Sequence, residues 1–156
     1  MSTNQNKNKN HIYFMRLALE QAKKVLGNTK NNPAVGCVIT KNNHVISAGY
    51  TSINGRPHAE HNAINLSKIN TKNSQLYVTL EPCSHYGKTP PCVDQIIKSE
   101  INRVVIGLKD PNPKINGEGI RKLKKKRIKV TIGVLQKEIK KVHSGFFYKI
   151  KKNKPF

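Results

Sequence analysis

Five short runs rich in β-branched residues set the terms for this chain: 34–40 (AVGCVIT), 44–49 (HVISAG), 75–80 (QLYVTL), 103–108 (RVVIGL) and 128–134 (IKVTIGV). Each is too short for a buried helix and reads as a strand. Between them the apolar residues return at helical spacing. Residues 11–26 place Met15, Ala18, Leu19, Ala22 and Leu26 on one stripe, with Gly27 as the stop. Residues 58–69 turn Ala59, Ala63 and Leu66 inward. Pro91 suits the first turn of a helix running to about residue 100, with Val93, Ile96 and Ile97 buried. Residues 119–126 read as a short basic helix, and a last helix carries Leu135, Ile139, Val142 and Phe146. Lys41-Asn42-Asn43 is a turn, so the first two strands are expected to form a hairpin. Alternating strands and helices predict an α/β fold: a three-layer α/β/α sandwich around a five-stranded mixed sheet.

A length of 156 residues suits one domain, and no repeat or Pro/Gly/Ser-rich linker divides it. Residues 1–10 (MSTNQNKNKN) read as a disordered polar tail with no signal-peptide pattern, leaving 11–150 as the domain. No run approaches the ~20 apolar residues that span a bilayer, so no membrane partner is expected and the chain reads as cytoplasmic. Three cysteines, at 37, 83 and 92, are too few and odd in number for a disulfide framework. In a cytosolic chain such cysteines more often bind metal or do chemistry. The net charge of +21 raises the question of nucleic acid. The charge is spread along the chain, densest at 121–129 and 149–154, with no Trp and no aromatics interleaved before the last dozen positions. Solvated helix faces and a drift toward Lys, Asn and Ile account for it better, so nucleic acid is not the expected partner.

The chemistry-bearing residues are His58-Ala59-Glu60 at a helix start, Pro82-Cys83 after the third strand, and Cys92 at the next helix start. One imidazole and two thiolates fall one short of a closed tetrahedral site, and catalytic zinc sites leave that position for water. Helix N-termini favour thiolates. Glu60 is too near His58 to be an obvious ligand but well placed for proton transfer. H-x-E followed by P-C is the pattern of zinc nucleobase deamination, although its second cysteine usually comes three residues after the first and here comes nine after. The other reading is a closed zinc staple, for which His85 is the candidate fourth ligand. The joint occurrence of HAE and PC favours catalysis.

The stretches NPAVGCVIT (32–40), GRPHAE (55–60), TLEPCSHYGKTPPC (79–92) and DPNPKINGEGI (110–120) resemble the deaminase domain of the bifunctional riboflavin-biosynthesis deaminase/reductase, within the cytidine-deaminase-like superfamily. The long segment between the cysteines is its most specific motif. The resemblance implies zinc held by His58, Cys83 and Cys92, and Glu60 as proton shuttle. It also implies hydrolytic deamination of 2,5-diamino-6-ribosylamino-4(3H)-pyrimidinone 5′-phosphate to 5-amino-6-(5-phosphoribosylamino)uracil. Asn32, His85, Lys88, Asp110 and Asn112 match its substrate contacts, with Lys88 supplying charge for the phosphate.

Two departures stand out. Thr51 occupies a position where many members of the family carry His, so its hydroxyl either substitutes in touching substrate or leaves that contact to water; Asn31 replaces the first Pro of P-N-P. Residues 151–156 resemble the start of a linker toward a reductase domain, so a separate or fused reductase is an expected partner and no nicotinamide cofactor is expected here. The resemblance further implies a homo-oligomer, dimer or tetramer. The competing function is a tRNA-type or other nucleoside deaminase using the same zinc site.

Overall fold

The structure, a computed structural model, describes residues 3–87, 89–112 and 117–144. Helix α1 (Thr3–Lys23) is followed by β1 (Gly36–Lys41), β2 (His44–Tyr50), α2 (Ala59–Leu66) and β3 (Gln75–Leu80). Then come α3 (Cys92–Lys98), β4 (Arg103–Leu108), α4 (Glu118–Lys125), β5 (Lys129–Ile132) and α5 (Gln136–Val142). All five expected strands are present.

The sheet order is β2-β1-β3-β4-β5. β1 runs antiparallel to both β2 and β3, while β3, β4 and β5 are parallel. Connection length explains the mixture. Asn42 and Asn43 take φ of +53° and +63°, the backbone of a tight hairpin turn, so β2 folds straight back on β1. The links β3-α3-β4 and β4-α4-β5 carry helices, and a parallel neighbour needs such a crossover. Helices α1 and α5 cover one face, joined by an exposed Arg16–Glu138 ion pair at 2.8 Å. Helices α2, α3 and α4 cover the other. The three-layer sandwich is as predicted.

The core lies on both faces of β1, β3 and β4, whose residues are almost all buried, as expected for strands covered twice. Met15, Ala18, Leu19 and Ala22 of α1 pack on it as the periodicity requires. Gly36 permits this contact: a Cβ there would run into the backbone carbonyl of Ala18 and lie 2.7 Å from the Ala22 nitrogen. Cys37 is fully buried in β1, a small core residue.

Several positions differ from the periodicity. α1 begins at Thr3 rather than His11: nothing before Gly27 breaks a helix, and residues 4–9 form exposed early turns rather than a tail. Leu26 is 43% exposed and Val25 is buried in its place, because the helix ends at Lys23 and the chain turns before Gly27 at φ +83°. Leu66 ends α2 and is 66% exposed; Ile97 is half-buried. Phe146 and the segment 151–156 lie outside the described residues. Among the described residues no helix is long and apolar enough to cross a membrane.

Candidate active site

The parallel half of the sheet dictates where a site can form. β3 and β4 end side by side, and their following loops open toward the N-termini of α2 and α3, the crevice that α/β sheets use for ligands. His58 is the N-cap of α2, Cys92 opens α3, and Cys83 lies three residues beyond β3. Pro91 takes the N-cap position, with φ −59°, one residue earlier than the first turn expected for it.

Local hydrogen bonds bring the two cysteines together across nine residues. Cys92 N–H donates to Cys83 Sγ at 3.2 Å, and Val93 N–H donates to the Cys83 carbonyl at 3.1 Å. His58 Nδ1 faces both sulfurs, 3.7 Å from Cys83 and 3.4 Å from Cys92. Among the described residues these three are the group that could hold a metal, their ligand atoms all within 4.8 Å of one another.

The geometry fits zinc. Tetrahedral coordination with ordinary Zn–S and Zn–N bonds sets ligand atoms ~3.5 Å apart, and the two nitrogen–sulfur distances bracket that. The hydrogen bond with Cys92 holds the Cys83 thiol well below its ordinary value, and the same hydrogen bond, with burial, pushes the Cys92 thiol up. The hydrogen bond to Cys83 raises His58. Two sulfurs and an imidazole thus share protons where a divalent cation would replace them. His85 is exposed and outside this group, so the closed staple loses its fourth ligand.

Glu60 is buried at 4% exposure beside the Cys92 thiol, and burial raises its carboxyl to about 7. A carboxyl there can both accept and release a proton near neutral pH.

In front of the trio is a cavity of about 220 Å³, room for roughly seven waters at ~30 Å³ each. Asn32, His58, Glu60, Cys83, His85, Asp110 and Asn112 all line it. Asn32 is fixed by its side-chain N–H donating to the Gly55 carbonyl at 3.2 Å, and the Thr29 hydroxyl donates to its carbonyl at 2.6 Å. Asp110 accepts the Asn112 N–H at 2.9 Å, and burial raises its carboxyl. Lys88 lies outside the described residues. Thr51 departs from expectation: it is 1% exposed and off the cavity lining. Its hydroxyl accepts the Val35 N–H at 2.9 Å and donates to the Pro33 carbonyl at 3.1 Å, so it braces the segment between Asn32 and β1 from behind.

Two further lining residues were not singled out in the sequence. Arg56 donates from Nη1 to Thr89 Oγ1 at 3.1 Å, linking the loop before α2 to the loop between the cysteines. Glu81, buried between Leu80 and Pro82, accepts backbone N–H groups from the far side of the site. An acidic residue between an apolar strand and Pro82-Cys83 was the available signal for Glu81, because a charge carried into that position demands partners.

Comparison with known proteins agrees with this geometry. Residues 8–108 match the cytidine and deoxycytidylate deaminase zinc-binding region. A diaminohydroxyphosphoribosylamino-pyrimidine deaminase of Buchnera aphidicola subsp. Acyrthosiphon pisum is 49% identical over 94% of this chain and 99% of its own length. The riboflavin biosynthesis protein RibD of Aquifex aeolicus is 44% identical over 92% of this chain, which spans 40% of that longer protein. The Acinetobacter baumannii RibD structure superposes with a TM-score of 0.91 at 39% identity, covering 96% of this chain and 42% of that one. The trio, the buried glutamate beside it and these likenesses agree: the chain belongs to the cytidine and deoxycytidylate deaminase zinc-binding family, among its diaminohydroxyphosphoribosylamino-pyrimidine deaminases.

Proposed function

We propose that this chain hydrolytically deaminates 2,5-diamino-6-ribosylamino-4(3H)-pyrimidinone 5′-phosphate, giving 5-amino-6-(5-phosphoribosylamino)uracil and ammonia, as a cytoplasmic step of riboflavin biosynthesis. The observation that carries the reading is Glu60, a buried carboxyl raised to about 7 and set against a His/Cys₂ trio at the wall of a cavity.

His58, Cys83 and Cys92 would hold zinc, which when bound supplies Lewis acidity that brings water toward ionisation at neutral pH. Glu60 takes a proton from water in the cavity through a carboxylate oxygen. It passes that proton to the ring nitrogen, then takes the second from the newly attached hydroxyl, which becomes the carbonyl, and gives it to the departing amine. A carbon–oxygen bond forms, the carbon–nitrogen bond to the 2-amino group breaks, and ammonia leaves. Asn32, His85, Asp110 and Asn112 supply hydrogen-bonding groups around the ring and ribose, and Lys88 supplies charge to the phosphate. Thr51 acts through the segment before β1 that it braces. The active unit is a homo-oligomer, dimer or tetramer, and a reductase, separate or fused, takes up the product.

The test is ammonia release from that ribotide by purified protein, with and without a chelator. Metal-dependent release with this substrate, and none with cytidine or tRNA, is expected. Release from tRNA or cytidine instead would move the chain to the nucleoside or nucleic-acid deaminases.

A further inference from the structure

The carboxylate of Glu81 stands apart from the acid–base chemistry. It is 5% exposed and has no salt-bridge partner among the described residues, yet it is fully engaged. Oε1 accepts the Asp110 N–H at 3.2 Å and the Gly117 N–H at 3.1 Å; Oε2 accepts the Gly119 N–H at 3.1 Å. All three donors belong to the segment that leaves β4 and enters α4. Gly117 is the N-cap of α4, with a left-handed φ of +83°, so two of the bonds satisfy amides that an isolated helix start leaves unpaired. A negative charge at that end is also favoured by the helix dipole.

The backbone has made room for the contact. A Cβ on Gly119 would sit 2.5 Å from the Pro82 carbonyl and 3.4 Å from Glu81 Oε2, so only glycine lets α4 approach this closely. Glu81 N–H in turn donates to the Leu108 carbonyl at 2.9 Å, tying the end of β3 to the end of β4. A second clasp lies nearby: Lys122 Nζ of α4 donates to the Ser84 carbonyl at 2.8 Å, next to Cys83.

We propose that Glu81 is a positioning residue for the deamination: its carboxylate fixes the segment carrying Asp110 and Asn112 against the wall that carries Cys83, so the substrate-facing groups and the metal ligands keep one spacing. This rests on the proposed contacts of Asp110 and Asn112 with substrate. Glu81 borders the cavity, but both carboxylate oxygens are taken up by backbone amides, so it acts on the chemistry through those two residues. Three charge-assisted hydrogen bonds in a buried site are stiff enough for the task, and misplacement of a binding group by about 1 Å can cost ~10²-fold in rate.

The experiment uses Glu81→Gln, which keeps the shape and one acceptor oxygen but turns an amide donor toward a backbone donor. KM for the ribotide should rise about 10–100-fold, the size of one or two lost charge-assisted hydrogen bonds, while zinc content stays at the wild-type level. Asp110→Asn keeps the backbone N–H that Glu81 holds and alters only the substrate-facing side chain; it should raise KM also, and the double variant should be little worse than the more impaired single variant, since Glu81 acts by placing that side chain. Gly119→Ala reaches the same clasp from the other side, crowding the Pro82 carbonyl, and should reproduce the KM effect without changing the chemistry of the carboxylate. Hydrogen exchange should quicken at the Asp110, Gly117 and Gly119 amides and not in α1 or α2. Unchanged KM, effects that multiply in the double variant, or faster exchange spread over the whole chain would each overturn the proposal. Wild-type protein inactive on the ribotide would sink the substrate reading alone, and the exchange pattern would still decide the role of Glu81.

Discussion

Cys92 donates its backbone N–H to the Sγ of Cys83 at 3.2 Å, although eight residues separate them in the chain. The bond puts the first sulfur at the N-terminus of α3, where the helix supplies partial positive charge, and the second sulfur is on the first residue of the same helix. One short helix thus organises two of the three groups that could hold a metal. His58, at the N-terminus of α2, supplies the third by the same device.

Replacing Cys92 with Ser should therefore empty the centre rather than weaken it slightly. Metal analysis of purified protein should fall from near one zinc per chain to a small fraction. Full zinc content in C92S would remove Cys92 from the ligand set.

Glu60→Gln separates proton transfer from metal binding. The amide keeps the volume of a side chain that is 4% exposed, so fold and zinc content should persist. Turnover should fall by about 10²–10⁴-fold, the usual contribution of a positioned acid–base group. Wild-type ammonia release by E60Q would return the site to a structural role.

Gly36→Ala probes the packing of α1 on the sheet. The new methyl would meet the backbone of Ala18 and Ala22, which no rotamer change can relieve. A loss of about 1–3 kcal/mol or more in a denaturant titration is expected. Unaltered stability would mean that α1 is free to shift outward.

His143 makes stability depend on pH. It is 3% exposed, and burial lowers its pKa from 6.5 to about 4. The folded chain therefore keeps it neutral while the unfolded chain protonates it below about 6.5. Stability should be full above that value and fall as the pH drops toward about 4, by at most about 3 kcal/mol. Denaturant titrations near neutrality and near pH ~5 should show the loss, and His143→Leu should shrink it. An equal drop in the variant would assign the effect to other groups.

Much of this molecule could be read locally. The β-branched runs located all five strands because strand period and residue shape are short-range properties. Asn42 and Asn43 announced the hairpin by their tolerance of positive φ. His58, Glu60, Cys83 and Cys92 were legible because donor type, spacing and helix starts limit what such residues can do together.

What local pattern could not decide was which side chains the crossovers would bring together. Leu66 fits a helical stripe, yet α2 ends there and leaves it exposed. Thr51 lies behind the cavity wall because its hydroxyl finds backbone partners in residues 33 and 35. Glu81 meets Gly119 only because β4 returns parallel to β3 and α4 packs over its end. The sequence by itself determined the elements and the donor set, through covalent geometry and residue chemistry. Only the tertiary structure decided which buried polar groups satisfy one another, because those partners lie far apart in the chain and desolvation, not sequence proximity, selects them.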